Sequence, residues 1–153
     1  MTNVLLVEDL TNPKYRVIEG ISKSQGISEL FQLKVDMKIW KVNLHVVSCL
    51  RDAALWICDN THGKLITILD GQFPALKDSP NTDVLYRDVL LELKHNRDTS
   101  TNYLIPFSSD EGYNKDMAKL FLADHSKDKL LSEGGKSPYI IEKAFESFLP
   151  QSY

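Results

Sequence analysis

Four residues have the chemistry of metal ligands at a symmetric spacing: His45 and Cys49, then Cys58 and His62. Zinc takes Cys2His2 sets. Neither half is a Cys-x2-Cys knuckle, however. Both pairs fall in or beside stretches that read as strands, where residues four apart lie about 13 Å from each other. The four would converge only through a sharp bend at each pair, so no metal and no other cofactor is expected. Enzyme signatures are also missing: there is no Gly-rich phosphate loop, no Gly-x-Ser-x-Gly and no His-Glu-x-x-His. Asp36, Asp52, Asp59 and Asp70 fall at strand ends and turns, where aspartate normally serves the backbone. What remains is a set of aromatic, amide and basic side chains. These suit the binding of a single-stranded nucleic acid, in which rings stack on bases and cations follow the phosphates. The expectation is a binding module and not an enzyme.

Composition limits that reading. The 153 residues are 42% hydrophobic and 25% charged, enough for one domain with a real core. No apolar run approaches the roughly 20 residues of a membrane span. The first nine residues lack the basic start and long apolar run of a signal peptide. Two cysteines make no disulfide framework, which favours an intracellular compartment. The net charge of −3 argues against coating long polyanions. Residues 34–64 nevertheless hold five basic side chains against three acidic ones, whereas the segment from Ser108 onward holds six against eight. Any nucleic-acid contact should be local, short and confined to the first half of the β-barrel expected below.

The elements that would position these groups read as mainly β. Asn12-Pro13 opens a short N-terminal helix with Tyr15, Ile18 and Ile21 on one stripe, and residues 27–33 form a second short stretch. Strands are expected at 42–47, 53–58, 64–69, 84–93 and 103–107, the last demoted to an edge by Pro106. In the first of them Val42, Leu44 and Val46 share one face, and Lys41, Asn43 and His45 the other. Asp59-Asn60-Thr61-His62-Gly63 reads as a tight turn. Five such strands would close into a Greek-key barrel of the oligonucleotide-binding type, the economical way to cover edges. The barrel would run from about residue 31 to 107 within a single domain spanning 1–153. Helices should follow at 113–122 and 138–149, after a flexible break at Gly134-Gly135. The second carries Ile140, Ile141, Ala144, Phe145 and Phe148 as one stripe.

The run from Leu55 to Phe73, an apolar strand ending in Asp59-Asn60-Thr61-His62-Gly63 and a second strand leading to Phe73, resembles the second-to-third-strand hairpin of single-strand telomere-binding and replication protein A barrels. Tyr15-Arg16-Val17-Ile18, then Leu30-Phe31-Gln32-Leu33, then Trp40-Lys41-Val42-Asn43-Leu44-His45 follows the order of elements in the protection-of-telomeres proteins. The likeness spans roughly residues 13–73. It implies sequence-selective binding of a few nucleotides of G-rich single-stranded telomeric DNA, in the nucleus at chromosome ends, with no catalysis. The alternative is a protein-interaction barrel in a telomere-capping or replication protein A-like complex, with a partner docked on the C-terminal helix and little DNA affinity of its own.

On such a barrel the DNA-binding residues would be Lys41, Asn43, His45, Trp56, Asn60, His62, Lys64, Thr67, Lys94, His95, Arg97 and Tyr103. Asn43, Asn60 and Thr67 would read base edges. Trp56 is equally suited to base stacking and to burial in the core, and Trp40 suits a cap under the N-terminal helix. For the lysines, arginine and histidines the plain alternative is a solvated face or loop.

Overall fold

The computed structural model describes residues 2–9 and 41–148. Four strands, β1 (Thr2–Val7), β2 (Val42–Val47), β3 (Leu65–Leu69) and β4 (Asn102–Pro106), pair in the order β2-β1-β3-β4. All three pairings are parallel. Among the described residues four helices accompany them: α1 (Leu50–Asp59), α2 (Tyr86–Asn96), α3 (Glu111–Leu122) and α4 (Pro138–Phe148). Beyond β4, a single parallel bridge joins Leu104 to Leu130, with the Leu131 N–H donating to the Leu104 carbonyl at 2.9 Å. This is a rudiment of a fifth strand.

The protein is therefore α/β with an open parallel sheet, and the five-stranded barrel is corrected. Two expected strands are helices. Residues 53–58 lie in α1, which Cys49 caps by accepting the Asp52 N–H on its sulfur, and which buries Ala53 and Ile57, four apart. Residues 84–93 fall mostly in α2, where Tyr86, Val89, Leu90 and Leu93 are buried at helical spacing. The six-residue run 53–58 is short enough to satisfy both periods, and burial on the sheet selected the helix; the ten residues 84–93 carry the helical period themselves. The strands at 42–47, 64–69 and 103–107 do stand as extended segments, but no hairpin joins the first two. β1 lies between them, and α1 forms the crossover that parallel strands require.

Both faces of the sheet are covered, which is why the central strands read as continuous apolar runs. Leu5, Val7, Leu65, Leu69 and Leu104 pack with α1, α2 and α3 on one side. Val4, Leu6, Ile66, Ile68 and Ile105 pack with Ile141, Ala144 and Phe145 of α4 on the other. The stripe of the C-terminal helix thus docks on its own sheet. The expected helix at 12–26, the stretch at 27–33 and Trp40 lie outside the described residues. Among the described residues no helix is long and apolar enough to cross a membrane.

Candidate functional site

In open parallel sheets ligands bind beyond the carboxyl ends of the strands, where the strand order reverses. Here the chain leaves β1 for β2 on one side, and β3 and β4 lie on the other, so the reversal falls between β1 and β3. The residues that follow those two strands are acidic: Glu8 and Asp9 after β1, and Asp70 after β3.

The sheet ladder holds this end rigid. The Glu8 N–H donates to the Val47 carbonyl at 3.1 Å and the Asp70 N–H to the Val7 carbonyl at 3.0 Å. The Phe107 N–H donates to the Leu69 carbonyl at 2.7 Å. Lys136 enters from the loop before α4. Its Nζ lies 3.0 Å from Glu8 Oε1 and 3.3 Å from Asp70 Oδ2, with the Phe107 ring centroid 5.9 Å away. Asp70 Oδ1 accepts the Gly71 N–H at 2.7 Å. On the next strand end, Ser108 is buried, and a β-carbon on Gly71 would meet its hydroxyl oxygen at 2.6 Å.

Burial pushes the Glu8 carboxyl well above the usual range, the Asp70 charge pushes the same way, and Lys136 pulls it back. Asp70 is pushed up to about 7, by burial first and by its hydrogen bond with Asp9 next. Burial works against the charge on Lys136, yet Glu8 and Asp70 hold its pKa above that of an ordinary lysine. Three carboxylates and one ammonium carry two negative charges when ionised, which one divalent cation would neutralise. Oxygens of Glu8, Asp9 and Asp70 lie within 4.8 Å of one another, a span that hard cations with oxygen ligands bridge. The residues present therefore fit a divalent cation.

The twelve residues expected to bind DNA lie elsewhere. Lys41 precedes β2 and is exposed. Asn43 donates to Asn3 across the sheet at 3.3 Å, and His45 stacks on Trp56 of α1 at 5.5 Å between centroids. Trp56 itself packs partly against the core. Asn60 ends α1 by donating to the Trp56 carbonyl at 2.8 Å, and His62 is exposed in the following turn. Lys64 lies over the Phe148 ring at 5.6 Å, and Tyr103 packs on the same ring at 4.4 Å. Thr67 is fully buried in β3. Lys94 pairs with Asp124 at 3.0 Å, while His95 is exposed on α2. Arg97 is buried, donating to the carbonyls of Asn60 and Gly63 and to Asn102 Oδ1. The outward barrel face that would have united them does not exist in a sheet covered on both sides.

The four-ligand zinc set does not assemble either. Cys49 and Cys58 stand at opposite ends of α1, about 13 Å apart along its axis. Cys58 faces Glu92 at 3.7 Å, and His45 faces Trp56.

The sequence alone suggests a turn role for Asp70 and none for Glu8, Asp9, Ser108 and Lys136. A signal was present nonetheless. Two separate apolar runs, Val4-Leu5-Leu6-Val7 and Leu65-Ile66-Thr67-Ile68-Leu69, each end directly in acid. Parallel strands place such endings side by side. Comparison of the chain with family models, with curated proteins and with solved structures yields no match.

Proposed function

We propose that this protein is a phosphoacceptor module of the receiver type, in which Asp70 takes a phosphoryl group from a donor and carries it as an acyl phosphate. The observation that carries the reading is the Lys136 ammonium seated between Glu8 and Asp70 at the switch point of the sheet. Carboxylate nucleophiles form aspartyl phosphates, and phosphoryl transfer relies on positioning and on cations rather than on a general base. All four histidines of the chain lie outside this cluster, which suits capture by a carboxylate better than base-assisted hydrolysis.

Each residue has a distinct part. An Asp70 carboxylate oxygen forms the new O–P bond. The bond from phosphorus to the donor breaks, and the leaving group keeps its electron pair. Lys136 neutralises charge on the phosphoryl oxygens and orients Asp70. Ser108 offers a hydroxyl across the Gly71 backbone. Glu8, Asp9 and Asp70 would hold a divalent cation, which when bound offsets the negative charge of donor and acid cluster. Glu8, fully buried, fixes Lys136 from behind.

The test is incubation with acetyl phosphate and Mg2+, read by intact mass. A gain of one phosphoryl group that is labile to hydroxylamine and absent in Asp70→Asn supports the reading. No gain, or a gain that persists in Asp70→Asn, overturns it. The telomeric reading, with its nuclear location, rested on the barrel face and is not carried forward.

A further inference from the structure

We infer that Asn114, a residue with no reactive chemistry of its own, is the positioning residue that keeps the hydroxyl arm and the lysine arm of this site in register. The inference rests on the phosphoacceptor reading.

Asn114 lies in the first turn of α3 and is 4% exposed. Its carboxamide spans the backbone of Ser108: Oδ1 accepts the Ser108 N–H at 2.9 Å, and Nδ2 donates to the Ser108 carbonyl at 2.8 Å. Only one orientation of the amide satisfies both partners, so the contact is directional. The need for it is local. The ladder between β3 and β4 makes its last bond at Phe107, and Ser108 has left the sheet. Asn114 replaces the missing strand with a side chain. It thereby fixes the segment whose hydroxyl faces Gly71, next to Asp70.

The same side chain meets the strap that delivers Lys136. A β-carbon on Gly134 would sit 2.7 Å from both Cβ and Cγ of Asn114, and 3.0 Å from Pro106 Cβ. Gly134 and Gly135 have φ of +108° and +141°, which disfavour any other residue. The strap therefore runs its bare backbone across Asn114, two residues before Lys136. One carboxamide thus sets the positions of Ser108 and Lys136 relative to each other, whereas the backbones of Glu8 and Asp70 are held by the sheet ladder.

That division makes a measurable split. Asn114→Asp keeps the volume and the bond from the Ser108 N–H, but sets a carboxylate oxygen against the Ser108 carbonyl. In the full chain its Mg2+ affinity by calorimetry should stay within about twofold of wild type, because the sheet ladder holds the backbones of Glu8 and Asp70. Its maximal rate of Asp70 phosphorylation by acetyl phosphate at saturating Mg2+ should fall roughly a hundredfold, as expected for a displaced reaction geometry. Gly134→Ala pushes on the strap from the other side and leaves the Ser108 clamp in place. It should show the same split, and it serves where Asn114→Asp fails to fold. A folded variant with the wild-type rate, or one losing cation affinity and rate in parallel, overturns the positioning role. Absence of phosphorylation in the wild-type chain overturns the phosphoacceptor reading itself and takes this inference with it.

Discussion

Gly71 stands so close to Ser108 that a β-carbon at position 71 would lie 2.6 Å from the Ser108 hydroxyl oxygen, and equally close to the Tyr113 ring. Real β-carbons essentially never stand that close to another atom, so a side chain at position 71 requires the Ser108 or Tyr113 side chain to shift. The Ser108 backbone is clamped by Asn114 and has little room to yield. Gly71→Ala should therefore cost about 1–3 kcal/mol, the usual penalty of overpacking. It should also slow Asp70 phosphorylation. Thermal melts and the intact-mass assay check both, and an unchanged melting temperature would show that the Ser108 and Tyr113 side chains simply move aside.

The acid cluster should lower stability at neutral pH. The folded-state pKa of Asp70 is raised to about 7, against about 3.9 for an unperturbed aspartate. A carboxyl raised on folding contributes stability below its unfolded pKa and loses it as pH rises through the folded value. With a chelator present, Asp70→Asn should melt above wild type at pH 8, with the advantage shrinking toward pH 4. Excess Mg2+ should reverse the order at pH 8, since the variant loses a ligand. Mg2+ binding to wild type near pH 6.5 should release protons, measurable by calorimetry in buffers of different ionisation enthalpy. Equal melting of variant and wild type at pH 8 would contradict the buried-acid account.

Arg97, which the sequence suggests for a DNA-binding loop, seals the opposite end of the sheet. Its guanidinium donates to the carbonyls of Asn60 and Gly63, at the end of α1 and in the turn before β3, and to Asn102 Oδ1 at 2.8 Å. Arg97→Ala strands these acceptors and should cost about 3 kcal/mol or more. Arg97→Lys should recover little, because an ammonium lacks the planar fork. Chemical denaturation with an unchanged m-value would measure this. A cost under 1 kcal/mol would mean that water replaces the guanidinium.

His125 should add a slope of opposite sign. Arg97 holds Asn102 Oδ1, which turns Asn102 Nδ2 toward His125 Nε2 at 3.1 Å. His125 Nδ1 lies 2.9 Å from the Phe121 carbonyl, so the ring donates there and accepts from Asn102, and is neutral. Burial pushes its pKa down; Asp124 nearby favours the charged ring and Lys94 opposes it. A base lowered on folding contributes stability above its unfolded pKa, about 6.5, and loses it as pH falls through the folded value. The difference in melting temperature between wild type and His125→Gln should therefore narrow as pH drops below about 6.5. A difference that stays constant from pH 5 to 7.5 would rule this out.

The extended segments at 42–47, 64–69 and 103–107, and the helices at 113–122 and 138–149, were legible in the chain. Each is set by a local pattern of apolar residues bounded by turn formers. Residues 53–58 were not, because a run of six satisfies two periods and only packing on the sheet chose the helix; residues 84–93 do carry the helical spacing, at Tyr86, Val89, Leu90 and Leu93, and a run of ten favours a helix over a strand, so that signal was in the chain. The pairing of Thr2–Val7 between two strands that follow it far along the chain is a tertiary decision as well. So is the site. Glu8 and Lys136 are 128 positions apart, and nothing local to either announces the other. They meet because parallel register brings the carboxyl ends of β1 and β3 together at one end of the sheet, and because two glycines let the final strap cross Asn114 and turn the lysine inward.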